Sequence, residues 1–149
     1  MNIIDSFSGD YRFLSNFWIL STPIEFEGLA YPTTEHFFAA MKTADLKARE
    51  EISQAETPGR AKRLGRKVSL RGDWDEVRVE VMQWALKEKF SEPRLRNQLA
   101  ATGNSILIEG NHWHDQFWGN CTCEEHINDD GANVLGILLM NLRLNHRMT

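Results

Sequence analysis

Apolar and polar residues alternate along this chain with two different periods. Between residues 11 and 31 the apolar positions have the spacing of short strands, and Glu27-Gly28 is typical of a hairpin turn. From Pro32 onward the apolar positions recur every three or four residues, which is the period of a helix. The sequence therefore predicts extended structure near the start of the chain and helices after it.

Helix-start signals divide the rest of the chain into segments. Asp73 followed by Glu76 is a capping-box pattern, and it opens an apolar stripe that runs from Trp74 to Trp84. The helix predicted over residues 133–145 is apolar almost all round, which favours a central place in the core. The other predicted elements are helices over residues 32–43, 45–55, 57–67 and 93–102 and a strand over residues 106–108. The predicted fold class is α+β, a mainly helical single domain over residues 1–149 with a small sheet.

Length, composition and charge exclude several classes of protein. The 149 residues suit one domain, and 42% apolar with 26% charged residues is an ordinary globular composition. A net charge of −4 argues against a surface built throughout for nucleic acid, although it leaves room for a local anion site. No apolar run reaches the roughly 18 residues of a membrane span, and no secretory signal is visible. Together with the closely spaced thiols Cys121 and Cys123, this predicts a cytoplasmic protein that binds no membrane.

Glu35 and Lys42 are the first candidate pair of reactive groups. They are seven residues apart, so on a helix their side chains lie within about 20° of each other around the axis. The residues between them are mostly apolar, and burial beside a charge partner shifts pKa values as general bases and nucleophilic lysines require. The alternative is a narrow solvent-exposed stripe that carries two unrelated charges. His36 points elsewhere and is interpreted as structural.

A basic segment and an aromatic loop are candidates for ligand binding. Between Pro58 and Arg71 there are six cations and no acid, which indicates a phosphate-bearing ligand or, alternatively, a solvated helix face. The loop from Asn111 to Asn120 holds two tryptophans, a phenylalanine and Asp115. Aromatic faces stack on bases and an acid can protonate a leaving group, but a loop that plugs the end of the core has the same composition.

The cysteines raise the question of a metal. Cys121, Cys123 and His126 could supply three zinc ligands. No further pair of cysteines lies nearby, and a fourth ligand would have to be brought in by the fold, from His112, His114 or His146. The sequence therefore predicts neither a metal nor a cofactor. The absence of a glycine-rich phosphate loop also excludes Walker-type nucleotide hydrolysis.

Several motifs, taken in order, resemble the NADAR (YbiA-like) family. They span nearly the whole chain, so chance similarity explains them poorly. The motifs are Phe13-Leu14-Ser15-Asn16-Phe17, Tyr31-Pro32-Thr33-Thr34-Glu35-His36 with Lys42, Pro58–Arg66, Leu70–Met82 with Asp73-Trp74-Asp75, a stretch from Thr102-Gly103 through Trp113 and Asp115 to Phe117-Trp118-Gly119, and Gly131–Arg143.

This resemblance implies an N-glycosidase fold with a pocket for a phosphorylated ribosyl or ADP-ribosyl substrate. Two substrate classes are associated with the family: ribosylamino-pyrimidine phosphates of riboflavin synthesis, and ADP-ribose attached to guanine in DNA. The expected function is removal of ADP-ribose from guanine in DNA, with the riboflavin intermediates as the alternative. ADP-ribosylated single-stranded DNA and, as for members that act as antitoxins, a toxin are the partners implied.

The resemblance also assigns roles to the matched residues. Glu35 and Asp115 would be the acids of the site, and Lys42 its amine. A larger group is expected to bind the substrate, with two of the tryptophans as aromatic walls: Phe13, Asn16, Arg63, Trp74, Trp113, Trp118 and Gly119.

Two positions depart from the family pattern. Ala39 stands where many members have Gln, and His114 stands where many have Gly before the loop acid. Both would change the shape of the pocket without removing a proposed catalytic group. Two functions of other classes also stay open from the sequence. One is a module that binds ADP-ribose without turnover, and the other is a protein that uses the aromatic loop as an interface.

Overall fold

The computed structural model describes residues 2–149, which form six α-helices, one 3-10 helix and six short strands. The predicted α+β class, mainly helical with a few short strands, is confirmed. The helices are the 3-10 helix (Gly9–Leu14), α1 (Thr34–Met41), α2 (Leu46–Ser53), α3 (Pro58–Gly65), α4 (Trp74–Lys89), α5 (Pro93–Ala101) and α6 (Val134–Arg147). The strands are β1 (Ile3–Ile4), β2 (Ile24–Phe26), β3 (Leu29–Tyr31), β4 (Ile106–Leu107), β5 (Gly110–Asn111) and β6 (Asn120–Cys121).

One compact unit is continuous in sequence and comprises Asn16–Glu92. It starts with the antiparallel hairpin β2–β3, whose turn is the predicted Glu27-Gly28, with both residues at positive φ. Helix α1 is central to this unit, because it contacts β3 and helices α2, α3 and α4, and all eight of its residues are buried. Packing therefore constrains α1 on several sides.

Polar caps determine where the helices of this unit begin. The side chains of Thr33, Asp45 and Thr57 each accept a hydrogen bond from a backbone N–H in the first turn of α1, α2 and α3. His36 is structural, as predicted: its Nδ1 lies 2.7 Å from Thr33 Oγ1 and its Nε2 lies 3.0 Å from the carbonyl oxygen of Ala55. This side chain ties the start of α1 to the segment that follows α2.

The other compact unit joins residues 2–15 to residues 93–149. Its two strand pairs are both parallel, with Ile3 opposite Ile106 in β1–β4 and Asn111 opposite Cys121 in β5–β6. Helix α6 packs against β4 and α5, and α5 also contacts the 3-10 helix. Much of the segment from residue 111 to residue 133 lies outside helices and strands. The single domain predicted over residues 1–149 stays a prediction.

Several local predictions are wrong. Residues 11–14 belong to the 3-10 helix and are not extended. Asp73 does not cap α4 with its side chain, because its carboxylate binds the guanidinium of Arg71 at 2.6 and 3.0 Å. The predicted stripe of α4 is only partly buried, since Trp84 is 37% exposed. Among residues 2–149, no helix is both long enough and apolar enough to cross a membrane.

Helix α6 also differs from its prediction. Its apolar residues are distributed around the axis, but Ile137 and Leu144 are exposed, whereas Leu135, Leu139 and Leu142 are buried. One face of α6 therefore packs into the unit and another face contacts solvent. When a helix is apolar all round, its sequence alone does not show which of its apolar residues are buried.

Candidate active site

Helix α1 presents Glu35 and Lys42 at its two ends. Glu35 lies in the first turn and is 8% exposed, whereas Lys42 follows the last residue of the helix and is half-buried. The positive end of the helix dipole stabilises a carboxylate in the first turn. Glu35 and Lys42 thus lie in the first turn and at the C-cap of one buried helix, and their joint role in catalysis stays a prediction.

Lys42 has a perturbed acid–base equilibrium. Burial lowers the pKa of its ammonium group below the usual value, Glu35 opposes this by raising the pKa, and Lys62 and Arg66 lower it further. Burial disfavours the charged ammonium, the opposite charge of Glu35 stabilises it, and the like charges of Lys62 and Arg66 repel it. A larger fraction of Lys42 is therefore in the neutral, nucleophilic form at a given pH than for a lysine in water.

Close packing of α3 against α1 places Lys62 and Arg66 near Lys42. A Cβ atom built on Gly65 would lie 2.9 Å from the Cβ of Ala39, a distance that packed side chains do not reach. Only glycine at position 65 permits this approach. Lys62 and Arg66 are four residues apart and share one face of α3. The sequence did not distinguish these two cations from the rest of the basic segment. The signal it carried was Gly65, which lies between them and permits the close contact with α1.

Arg63 lies on another part of α3. It is exposed and lines a surface groove with residues of α2 and of the connection to α3, among them Gln54, Thr57 and Arg60. The basic segment is thus divided between two faces, one beside Lys42 and one above this groove. The structure does not place Arg63 with Lys62 and Arg66 beside Lys42, and its role in substrate binding stays a prediction.

The connection between α3 and α4 closes around the end of α1. The backbone N–H of Arg71 donates to the carbonyl oxygen of Lys42 at 2.7 Å, while the Arg71 guanidinium binds Asp73. Trp74 follows directly and packs against Phe38, with ring centroids 5.0 Å apart. Trp74 is 7% exposed, so most of its ring is committed to packing within this unit.

Asn16 reaches Glu35 through the main chain. Its carbonyl oxygen accepts a hydrogen bond of 3.0 Å from the backbone N–H of Glu35. Its side-chain Nδ2 donates a hydrogen bond to Met82 Sδ at 3.7 Å. Its buried Oδ1 has no hydrogen-bond partner among residues 2–149. A buried polar atom without a partner costs about 1–3 kcal/mol, which a ligand that binds it recovers. Asn16 is therefore a suitable contact for a substrate hydroxyl or amine.

The predicted loop residues belong to the other compact unit. Asp115 Oδ1 accepts hydrogen bonds from the backbone N–H groups of Phe117 at 3.1 Å and Trp118 at 2.9 Å. Asn111 holds the same turn, because its Oδ1 accepts from Asp115 N at 3.1 Å and its Nδ2 donates to Asp115 O at 2.9 Å. Asp115 thus shapes its own loop, and its role as a catalytic acid stays a prediction.

The remaining predicted residues of this unit differ in exposure. Trp113 is 56% exposed, Trp118 is half-buried with its ring edge-to-face on Phe117, and Phe13 is buried in the 3-10 helix. A Cβ on Gly119 would collide with the carbonyl oxygen and the carboxylate of Glu109, so packing alone requires glycine there. Substrate binding by these four residues stays a prediction.

Four side chains of the same unit bring atoms that can bind a metal close together. Each of His114, Cys121, Cys123 and His126 offers one ligand atom, and these atoms all lie within 4.8 Å of one another. Cys121 and Cys123 are free thiols. Three of these ligands are close in sequence, but the fourth is close only in the folded chain, so the sequence did not predict a metal.

Comparison with known proteins identifies the family. The profile of the NADAR domain matches residues 5–147. N-glycosidase YbiA of Shigella boydii serotype 4 is 42% identical over 141 residues, which is 93% of this chain and 83% of the relative. The solution structure of Escherichia coli YbiA has a TM-score of 0.80 and 39% identity, and the match covers 99% of this chain and 86% of that one.

A second group of relatives is longer. A riboflavin biosynthesis protein of Vibrio vulnificus is 37% identical over 137 residues, which is 90% of this chain and 35% of the relative. The family resemblance found in the motifs is confirmed, and the chain belongs to the NADAR family. The relatives also confirm the predicted class of enzyme, a hydrolase of N-glycosyl bonds.

Proposed function

We propose that this chain hydrolyses the bond between ribose C1 and an amine nitrogen in a phosphorylated ribosyl substrate. The observation that carries the proposal is the arrangement on α1 of a buried carboxylate, Glu35, and an amine of lowered pKa, Lys42, with cations of α3 beside the amine. The names of the relatives support the N-glycosidase reaction. The cations support a substrate that carries phosphate.

Glu35 has the charge and the burial that this bond cleavage requires. Positive charge builds up at C1 as the C–N bond breaks, and a buried carboxylate stabilises this charge or removes a proton from the attacking water. The water supplies the hydroxyl group that C1 receives, and its proton ends on the released amine. Asn16 lies beside Glu35 and can accept a hydrogen bond from the substrate through its unpaired Oδ1.

Lys42 provides a second, covalent route to the same products. A glycosylamine opens to an imine at C1. The neutral amine of Lys42 then adds to this carbon and expels the substrate's amine. Water then hydrolyses the lysine imine and returns the free amine of Lys42 and the aldehyde of the sugar. The lowered pKa of Lys42 favours the neutral form that the addition requires.

The identity of the amine distinguishes two substrates. The riboflavin-related names of relatives support a ribosylamino-pyrimidine phosphate as the substrate. ADP-ribose on guanine in single-stranded DNA, the substrate that the family resemblance implies, carries more phosphates. The second cationic face of α3, with Arg60 and Arg63, favours this larger substrate because it extends the positive surface beyond one phosphate group.

One experiment tests the reaction and ranks the substrates. Purified protein is incubated separately with a ribosylamino-pyrimidine phosphate and with an oligonucleotide that carries ADP-ribosylated guanine, and product masses are followed. Glu35→Gln should lower the rate by about 10²–10⁴-fold, whereas Glu80→Gln, an exposed glutamate of the same unit, should leave it unchanged. Turnover of neither substrate by the wild type, or equal rates for the two variants, would contradict the proposal.

Borohydride tests the covalent route separately. Reduction during turnover should add the mass of the sugar phosphate to the wild type and to Lys87→Ala, an exposed lysine on α4. Lys42→Ala should gain no mass. A wild-type protein that turns over substrate but is never trapped excludes the imine and leaves only direct attack by water.

A further inference from the structure

His114, Cys121, Cys123 and His126 converge within a stretch of thirteen residues that the reaction does not use. The Nδ1 atoms of His114 and His126 are 3.4 Å apart, and Cys123 Sγ lies 3.4 Å from the first and 3.3 Å from the second. A tetrahedral Zn²⁺ ion with Zn–S near 2.3 Å and Zn–N near 2.0 Å separates neighbouring ligand atoms by about 3.3–3.8 Å. These three distances fit this geometry, and Cys121 Sγ lies within 4.8 Å of the other three ligand atoms.

Backbone N–H groups of the loop hold the sulfur atom of Cys121 as a metal ligand requires. Cys121 lies in β6 with 1% exposure, and its Sγ accepts hydrogen bonds from the backbone N–H groups of His114 at 3.3 Å and Cys123 at 3.5 Å. Such donors stabilise the negative charge of a thiolate and orient it. The parallel pairing of β5 with β6 keeps Cys121 beside the strand that leads to His114.

The backbone of His114 has an unfavourable conformation. Its φ of 69° lies in the left-handed region, which glycine adopts freely and a residue with a Cβ does not. Such strain costs on the order of 1 kcal/mol and persists only where the surrounding structure holds the residue in place. Here the strained residue contributes the ligand that completes the set. Three ligands of the set are close in sequence, and this backbone conformation adds the fourth.

We propose that these four residues form a structural zinc site. Two thiolates and two imidazoles in a tetrahedral arrangement are the ligand set that selects Zn²⁺ among the common divalent metals. Four protein ligands leave no open position for water or substrate, so the ion stabilises the fold and takes no part in the reaction. Binding releases the thiol proton of each cysteine, because only the thiolate coordinates the metal.

The site would fasten the irregular segment between β5 and α6. This segment includes Asp115 and Trp118, whose positions otherwise depend on hydrogen bonds within the loop. Four metal bonds tie residue 114 to residues 121–126 and so close the loop on itself. The ion therefore acts on the predicted loop residues only by fixing the backbone that carries them.

Metal content and cobalt spectroscopy test the site directly. Protein purified from zinc-supplemented cells under reducing conditions should contain about one Zn²⁺ per chain. After removal of the zinc, Co²⁺ should bind at the same ratio with the visible absorption of a tetrahedral ion bound by thiolates. Metal content well below one ion per chain together with no such absorption would overturn the proposal.

His114→Gly is the decisive variant, because glycine adopts a φ of 69° without strain and the loop keeps its backbone conformation. Its affinity for Co²⁺ should fall by at least about 100-fold, since loss of an outer-sphere partner alone costs 10–100-fold. Zinc should raise the melting temperature of the wild type and leave that of His114→Gly unchanged. His112→Asn, an exposed histidine of the same loop, should bind metal as the wild type does. Undiminished binding by His114→Gly would show that the four residues are not the ligand set.

Discussion

Helix α1 and the loop between Asn111 and Asn120 position their candidate residues in opposite ways. In α1, the main-chain bonds of the helix and the packing of neighbouring helices place Glu35 and Lys42. In the loop, side chains make the bonds, because Asn111 and Asp115 bind the main chain of the turn that contains them. A candidate residue in α1 can thus be replaced without loss of its scaffold, whereas in the loop the candidate is itself part of the scaffold.

Replacement of Asp115 should change turnover more than any other variant that tests this difference. Asp115→Asn keeps an oxygen that can accept from the N–H groups of Phe117 and Trp118, but it removes the acid. If Asp115 donates a proton to the leaving amine, turnover should fall by about 10²–10⁴-fold with little change in melting temperature. Asp115→Ala should lower both. Full activity of Asp115→Asn, measured on the substrate that the wild type turns over, would leave Asp115 a purely structural role.

Gly119 tests how rigidly the loop is fixed. A side chain there collides with the main-chain carbonyl of Glu109, which cannot rotate away. Gly119→Ala should therefore destabilise the protein by about 3 kcal/mol or more, at the upper end of overpacking costs. Urea denaturation followed by tryptophan fluorescence measures this change. An alanine variant of wild-type stability would mean that the loop backbone yields easily.

Gly65 provides the matched test in the helical unit. The clash that Gly65→Ala creates is with the Cβ of Ala39, so we expect a loss of about 1–3 kcal/mol. Ala39→Gly in the same chain removes the opposing atom and should restore part of the loss in a double-mutant cycle. The same urea denaturation measures all three variants. Purely additive losses would show that the two residues do not limit the spacing of α1 and α3.

Lys89 makes the stability of the helical unit depend on pH. Complete burial lowers the pKa of Lys89 from 10.5 to about 7, so between these values the unfolded chain binds more protons than the folded one. The free energy of unfolding should therefore rise by a few kcal/mol from pH 7 to pH 10 on account of this group. Lys89→Met should reduce that rise and Lys87→Met, on the same helix but exposed, should not. Equal pH profiles in urea denaturation would contradict the assignment.

The smallest predicted effect concerns the cations beside Lys42. Because Lys62 lowers the pKa of Lys42, Lys62→Gln should raise that pKa and move the alkaline rise of the trapping rate toward higher pH. The expected displacement is small, since Arg66 and burial remain. Lys67→Gln, an exposed neighbour on the basic segment, is the control. A profile that does not move would place Lys62 too far from Lys42 to influence it.

The helical part of the fold was largely predictable from the sequence. Thr57 and Pro58 marked the start of α3 correctly, because a cap and a proline act within one turn of the chain. The contact between Ala39 and Gly65 was not predictable, since each residue carries only the information that it is small. The grouping of Lys42 with Lys62 and Arg66 depends on that contact. It therefore required the structure.

The irregular part of the chain was less predictable. The aromatic and acidic residues around Asp115 were found by composition, but their hydrogen bonds were not, because no period governs a loop. His114 shows the reason most clearly. Its distance in sequence from Cys121 gave no sign of proximity, and only the parallel pair β5–β6 and a left-handed residue bring the two together.

The division of the chain into a continuous unit and a discontinuous one also determines the order in which its parts can fold during synthesis. Strand β1 pairs with β4 across about a hundred residues, so this pairing waits until the ribosome has made Ile106. All segments of Asn16–Glu92 are available before that point. Domains generally fold as units during translation, so we expect α1, with Glu35 and Lys42 in place, to be assembled before the unit that contains Asp115 is complete.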